Sequence, residues 1–210
     1  IDASSGYEAE RALRAGVKPG HIQITAQQIP DQLETLVHQG VLYTACSIHQ
    51  LRNYGKLFPG TELAVRINPG LGSGHSNRTN VGGPASSFGL WHEHLDQLFA
   101  AAAEFELKIT RMHTHIGSGT DPEAWVHCAK LSLGIAARLP EVRMLSLGGG
   151  FKVARMAGEK SADLQDIGGH IKIEFERFAR EHGRELDLEI EPGTYLAANA
   201  GAVVCTAMDV

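Results

Sequence analysis

Strand-like and helix-like stretches alternate along this chain almost without interruption, and that alternation restricts the fold more than any other feature. Short β-like runs fall at residues 22–25, 41–45, 63–68, 109–116, 142–147 and 186–190. Helix-like stretches fill 6–15, 30–39, 48–57, 92–105, 123–138 and 164–181. Leu95, Leu98, Phe99 and Ala102 recur at helical spacing, which lays one apolar stripe against a sheet. Asp121 followed by Pro122 is a start signal for the next helix, a capping side chain ahead of a residue whose φ is already helical. The run Leu63, Ala64, Val65, Arg66, Ile67 lacks clean alternation, as parallel strands covered on both faces do. Repeated units of this kind build either a (β/α)8 TIM-type barrel or an open doubly wound sheet.

The polar residues separate the two. Arg66, His115, Gly117, Ser118, the Gly148, Gly149, Gly150 triplet and Glu191 all fall at the C-terminal ends of expected strands. A barrel gathers every such end into one mouth, whereas an open sheet offers a crevice at a single switch point. Polar ends spread along the whole chain favour the barrel. Such a barrel takes about 250 residues, and this chain of 210 residues shows six runs and a stub at Ile1 and Asp2. The expectation is therefore a barrel domain over residues 1–202 that lacks its first β/α unit. Residues 202–210 read as an apolar strand, with 203–210 leading into a further domain.

Composition excludes several classes. Lys and Arg number 19 against 24 Asp and Glu, a net charge of −5, which is the wrong sign for broad nucleic-acid binding. No apolar run reaches the roughly 18 residues of a membrane span. Cys46, Cys128 and Cys205 form no C-x-x-C pair and leave one thiol over in any disulfide scheme, which fits a reducing, cytoplasmic setting.

The strand-end motifs carry the chemistry. Three successive glycines after a strand, Gly148 to Gly150, either form a nest of backbone N–H groups for a phosphate or a plain flexible turn. His113 and His115 are two residues apart and share one face of a strand. That spacing suits a metal hydrolase, a core histidine at His113, or an imidazole at His115 lying against a flat ring beside a phosphate held by Ser118. A metal would need further ligands at other strand ends, and Glu191 and Asn68 are all those ends offer. Glu191 is either the structural partner of a nearby arginine or the partner of a protonated ring nitrogen. A phosphate nest, a stacking imidazole and a carboxylate together describe a pocket for pyridoxal 5'-phosphate, which needs its phosphate anchored and its ring nitrogen protonated. The Gly-rich stretch 70–84 is either a solvated loop or a lid whose His75 and Arg78 meet an anionic substrate.

In combination these motifs resemble the barrel-type pyridoxal phosphate decarboxylases, which include the ornithine and diaminopimelate decarboxylases. R-I-N-P-G, G-H-S-N-R-T-N-V-G-G, H-T-H-I-G-S-G, G-G-G-F and E-I-E-P-G occur in the family's order over nearly the whole chain, most similar to the diaminopimelate branch. The resemblance implies an alanine racemase-like barrel followed by a C-terminal β domain absent here, and a homodimer. It implies no nucleic-acid or membrane partner. The implied reaction is amino-acid decarboxylation, first of all meso-diaminopimelate to L-lysine. The alternatives are another diamino acid (ornithine, lysine, carboxynorspermidine or a D-amino acid), or a regulatory homologue that keeps the fold without the chemistry. Carried over by motif, His115 stacks on the cofactor ring, Glu191 bonds its nitrogen, and Ser118 with Gly148, Gly149 and Gly150 holds the phosphate. Asp2, Glu8 and Arg66 match polar residues around the cofactor-bearing lysine. That lysine's motif is absent, since Lys18, Lys56, Lys108, Lys130, Lys152, Lys160 and Lys172 all stand in other contexts. Two further departures mark this chain. Thr194 stands where the family has an arginine after E-P-G, and Ser87 where it has a lysine. His75 and Arg78 are the cations that could replace the missing charge at Thr194 and contact substrate.

Overall fold

The protein, seen here as a computed structural model, is described over residues 1–71, 82–84, 86–115 and 121–208. Among these residues there are eight strands and seven α-helices, alternating except where β5 follows β4 directly. The strands are β1 (Asp2–Ala3), β2 (Gln23–Thr25), β3 (Leu42–Ala45), β4 (Glu62–Asn68), β5 (Leu90–Trp91), β6 (Lys108–His113), β7 (Met144–Ser146) and β8 (Asp187–Glu189). The helices are α1 (Gly6–Arg14), α2 (Leu33–His38), α3 (Ile48–Leu57), α4 (Leu95–Glu104), α5 (Pro122–Ala136), α6 (Leu164–His182) and α7 (Gly193–Ala197).

The helices begin where the sequence supplies caps. The Ser5 hydroxyl accepts from the Glu8 amide at 3.3 Å, Ser47 from Gln50 at 3.1 Å, and Asp121 from Glu123 at 3.0 Å, just ahead of Pro122. Each satisfies an N–H that the first turn leaves without an intrahelical partner. Helix α6 stops at Gly183, whose φ of +65° an L side chain rarely adopts. The expected stripe on α4 is buried at Leu95, Leu98 and Ala102, with Phe99 packed against its edge. Behind the sheet the core continues through Val65, Ile67, Met112, Leu145 and Leu147 to Leu51, Cys128, Ile167 and Ile171. Trp125 and Phe151 stack in it with centroids 4.2 Å apart.

All strand pairs are parallel, and the order β1-β2-β3-β4-β6-β7-β8 follows the chain without reversal, with β5 added beside β4. A doubly wound sheet reverses its strand order at a switch point; this one does not. Six steps of about 4.8 Å would hold the edges of a flat sheet roughly 29 Å apart. Asp2 on β1 and Glu189 on β8 instead line one cavity, so the sheet curls into a barrel with an open seam between its two edge strands. The inside is polar. Arg111 on β6 donates to Glu189 on β8 at 2.6 Å, an ion pair spanning the barrel interior below the strand ends.

Some expectations required correction. The strand expected over 109–116 stops at His113. Residues 202–208 form no strand, and Val203, Val204 and Met208 stand in solvent, because an extended segment acquires ladder hydrogen bonds only beside a partner. Strand β5 and helix α7 were not foreseen. Two residues and five residues are too short to show a period.

Candidate active site

A cavity of about 770 Å³ reaches from the strand ends at His115, Gly149, Gly150, Glu191 and Thr194 down the open seam past Asp2, Arg111 and Glu189 to His21 and Leu42. That volume lies within the range of small-molecule sites. Arg66, near the end of β4, is buried, and its guanidinium lies 5.0 Å from the centroid of the Phe88 ring. Asn68 closes the same strand. Its Oδ1 accepts from the Gly70 amide at 3.1 Å and the Gly83 amide at 2.9 Å, while its Nδ2 donates to the Gly83 carbonyl at 2.9 Å. One buried amide side chain thus pins both feet of the loop that leaves β4. The sequence reading weighed Asn68 only as a metal ligand and did not find this role.

The glycine triplet is held by close packing. Gly148 has φ +72°, and a Cβ there would lie 2.7 Å from the Thr114 carbonyl and 2.9 Å from the His115 ring. A Cβ on Gly149 would lie 2.2 Å from the Glu191 carbonyl oxygen, far inside contact distance. Gly150 has φ +100°. The Glu191 amide donates to the Gly148 carbonyl at 2.9 Å, which ties the end of β8 to the triplet. The three amides are not equivalent. Gly148 donates to Ser146 Oγ at 3.2 Å, whereas those of Gly149 and Gly150 have no acceptor among the described residues. Two unpartnered donors at the mouth of a cavity suit an anion.

His113, weighed from the sequence as a core histidine or as half of a metal-binding pair, is buried. It is 2% exposed, and its Nε2 lies 3.0 Å from Glu191 Oε1, within reach but away from the preferred hydrogen-bond angle. Ser146 Oγ donates to the same oxygen at 3.4 Å. Period two did bring His113 and His115 together, with ring centroids 6.3 Å apart.

These groups set one another's charge. Burial works to raise the Glu191 carboxyl, but its contact with His113 and the neighbouring His113, His115 and Arg66 side chains win, holding it below the usual carboxylate range. Asp2 goes the other way. It is solvent-accessible on edge strand β1, yet partial burial and the nearby Glu191 charge push it up to about 6, against a 2.7 Å hydrogen bond from Thr25 Oγ1 and the charge of His113. Burial, followed by the charges of His113 and Arg66, pulls His115 down to about 4 despite the pull of Glu191. The mouth therefore holds a firm anion at Glu191 and a neutral imidazole at His115 at neutral pH.

The other expected site residues fall in three groups. Glu8 is exposed and caps α1, its Oε2 accepting from the Ser4 amide at 2.6 Å, and it does not line the cavity. Thr194 lines the cavity from the first turn of α7. Ser118, His75 and Arg78 lie outside the described residues. None of the seven lysines lines the cavity; Lys130, Lys152 and Lys172 pair with Glu174, Glu159 and Glu176.

Comparison with known proteins bears on the family and the fold. The sequence profile described as "Pyridoxal-dependent decarboxylase, pyridoxal binding domain" matches residues 1–198. The chain is 36% identical to a diaminopimelate decarboxylase of Streptomyces coelicolor, over 97% of its own length and 48% of that protein's. Against the diaminopimelate decarboxylase of Escherichia coli K12 the identity is 33%, over 97% and 50%. A diaminopimelate decarboxylase crystal structure superposes with a TM-score of 0.85 at 33% identity, covering 93% of this chain and 48% of that one. The Helicobacter pylori enzyme in complex with L-lysine shares the fold, with a TM-score of 0.80 at 23% identity over 91% of this chain and 50% of that one. The chain spans about half the length of the curated relatives it matches.

Proposed function

This chain belongs to the pyridoxal-dependent decarboxylases, as their pyridoxal-binding domain, and from that premise we propose that it serves the decarboxylation of meso-diaminopimelate to L-lysine. The residues present fit pyridoxal phosphate. A phosphate needs N–H donors, and the Gly149 and Gly150 amides have none of their bonds spent among the described residues. A protonated ring nitrogen needs an ionised carboxylate, and Glu191 is kept ionised despite its burial. A flat cationic ring needs an uncharged neighbour, and His115 is held neutral. Bound there, the cofactor supplies the electron sink that receives the pair left behind when carbon dioxide departs.

The chain's own groups then have distinct tasks. Glu191 keeps a proton on the ring nitrogen, and His115 covers the ring without adding charge. Arg66, fixed over Phe88, balances the two carboxylates Asp2 and Glu191 across the mouth. Thr194, which lines the cavity, is assigned to the substrate, and His75 and Arg78 are kept from the sequence as candidate cations for the distal carboxylate that distinguishes diaminopimelate from ornithine or lysine. The working form is a homodimer in the cytoplasm, as the family resemblance implies; Cys46 and Cys128 are buried free thiols, which suits a reducing compartment.

The observation that carries the reading is Glu191, a buried carboxylate held ionised at the cavity wall beside a glycine turn whose Gly149 and Gly150 amides have no acceptor among the described residues. Its test is Glu191→Gln in the intact protein. Decarboxylation should fall on the order of a hundredfold or more, about 2.7 kcal/mol of lost transition-state stabilisation. Unimpaired decarboxylation would make Glu191 structural. A cofactor-binding homologue without chemistry would instead show the cofactor's absorption and release no carbon dioxide.

A further inference from the structure

The functional reading assigns Glu191 to the cofactor but leaves open what fixes that carboxylate. His113 closes β6, in register with Arg66 on β4 and Ser146 on β7, so its ring points into the barrel beneath the mouth. Nε2 stands 3.0 Å from Glu191 Oε1, and Nδ1 has no hydrogen-bond partner among the described residues. A buried imidazole without a polar partner costs roughly 1–3 kcal/mol, and among the described residues the Glu191 carboxylate, close though off the preferred hydrogen-bond angle, is the polar group within reach of Nε2. Ser146 Oγ donates to Oε1 as well. Both inner contacts therefore fall on one oxygen, and Oε2 takes none among the described residues. The charged and titratable groups facing the pair are His115 beyond β6, Arg66 on β4, Asp2 on β1 and, on the inner side of His113, the Arg111–Glu189 ion pair of β6 and β8.

We propose that His113 is a positioning residue for Glu191: it holds Oε1 from inside the barrel and so reserves Oε2 for the ring nitrogen of pyridoxal phosphate. The inference rests on the functional reading above, since it presumes that Glu191 meets that nitrogen. It also makes a claim about the cofactor-free protein, where the contact is already formed. With His113 removed, Glu191 keeps the burial that opposes its charge and loses a partner that favours it.

The experiment is a carbon-13 NMR titration of the intact, cofactor-free protein with labelled glutamate, the Glu191 signal assigned by its loss in Glu191→Gln. His113→Phe should raise the Glu191 midpoint by about one unit, a tenfold change in its ionisation constant. His113→Gln, which keeps an N–H donor within reach, should recover at least half of that shift. His113→Asn is polar but too short to reach Oε1, and should behave like the Phe variant. The loaded enzyme should follow in kcat, with about a tenfold loss for Phe and Asn and recovery for Gln, while KM stays within about twofold. An unmoved midpoint in both Phe and Asn, or equal midpoints in Asn and Gln, overturns the proposal; should Phe not fold, the Asn and Gln pair decides alone. If Glu191→Gln decarboxylates normally, the functional reading fails, and the cofactor-free titration still decides whether His113 holds the carboxylate.

Discussion

Replacing Gly149 by Ala adds one methyl group at the tightest point of the site. The new Cβ would lie 2.2 Å from the Glu191 carbonyl oxygen and 3.2 Å from its carbonyl carbon. Ordinary van der Waals contact begins near 3.4 Å, so the two backbones must separate by about 1 Å. Both are backbone atoms at the ends of β7 and β8, and neither can swing aside as a long side chain would. The strain should cost roughly 1–3 kcal/mol of stability, a large fraction of the 5–15 kcal/mol typical of a whole domain. Displacing Glu191 by about 1 Å should lower kcat/KM on the order of a hundredfold. The control is Gly134→Ala on α5, where a Cβ meets nothing within 4 Å. There the lost glycine freedom should raise stability by about 0.5–1 kcal/mol, with activity unchanged. Urea denaturation and steady-state decarboxylation of the intact protein measure both quantities. A Gly149→Ala variant with wild-type stability and kcat/KM would refute the argument that backbone contact between the triplet and Glu191 sets the site.

Acid sensitivity should show in two opposed contributions. His115 is held near 4, below its ordinary 6.5, so on acidification the unfolded chain takes up the proton first. Its contribution is present above pH 6.5 and lost as pH falls towards 4, by up to about 3 kcal/mol. His115→Gln should flatten that part of a urea-midpoint profile, and an unchanged slope would show the ring to be protonated in place. Asp2, raised to about 6 from 3.8, acts in reverse and costs stability as pH climbs through that interval, so Asp2→Asn should raise the midpoint at pH 7 relative to pH 4. Away from the site, Arg184 donates to the carbonyls of Ala136 at 2.6 Å, Leu139 at 3.1 Å and Val142, with its guanidinium over the Phe178 ring. Arg184→Ala leaves the Val142 carbonyl without its donor, while the Ala136 and Leu139 carbonyls keep the Leu139 and Val142 amides, and should cost about 1–2 kcal/mol; Arg184→Lys, lacking the planar fork, should recover less than half, and equal midpoints for Arg and Lys would deny the fork its role.

The sequence by itself determined whatever depends on neighbours a few residues away. Helix α3 runs over Ile48–Leu57 as its spacing predicts, and Asp121 with Pro122 starts α5, because caps and periodicity act within one or two turns. The placing of Arg66, His115, Gly149 and Glu191 at strand ends follows from the same local signals, and so does the barrel class, since chain-ordered strand–helix units leave few alternatives. Glu8 shows the limit. It stands in a family motif, yet its carboxylate is claimed by the first turn of its own helix, a competition that only the folded geometry resolves. Residues 202–208 show another: apolar composition reads as a strand, but a strand exists only where a partner supplies hydrogen bonds. The contact of His113 with Glu191 joins residues on β6 and beyond β8, and the approach of Gly149 to the Glu191 carbonyl joins the ends of β7 and β8. Both depend on strand register and on the curl of the sheet. No local preference encodes those quantities, because they are set by the packing of helices against the outer face of the whole barrel.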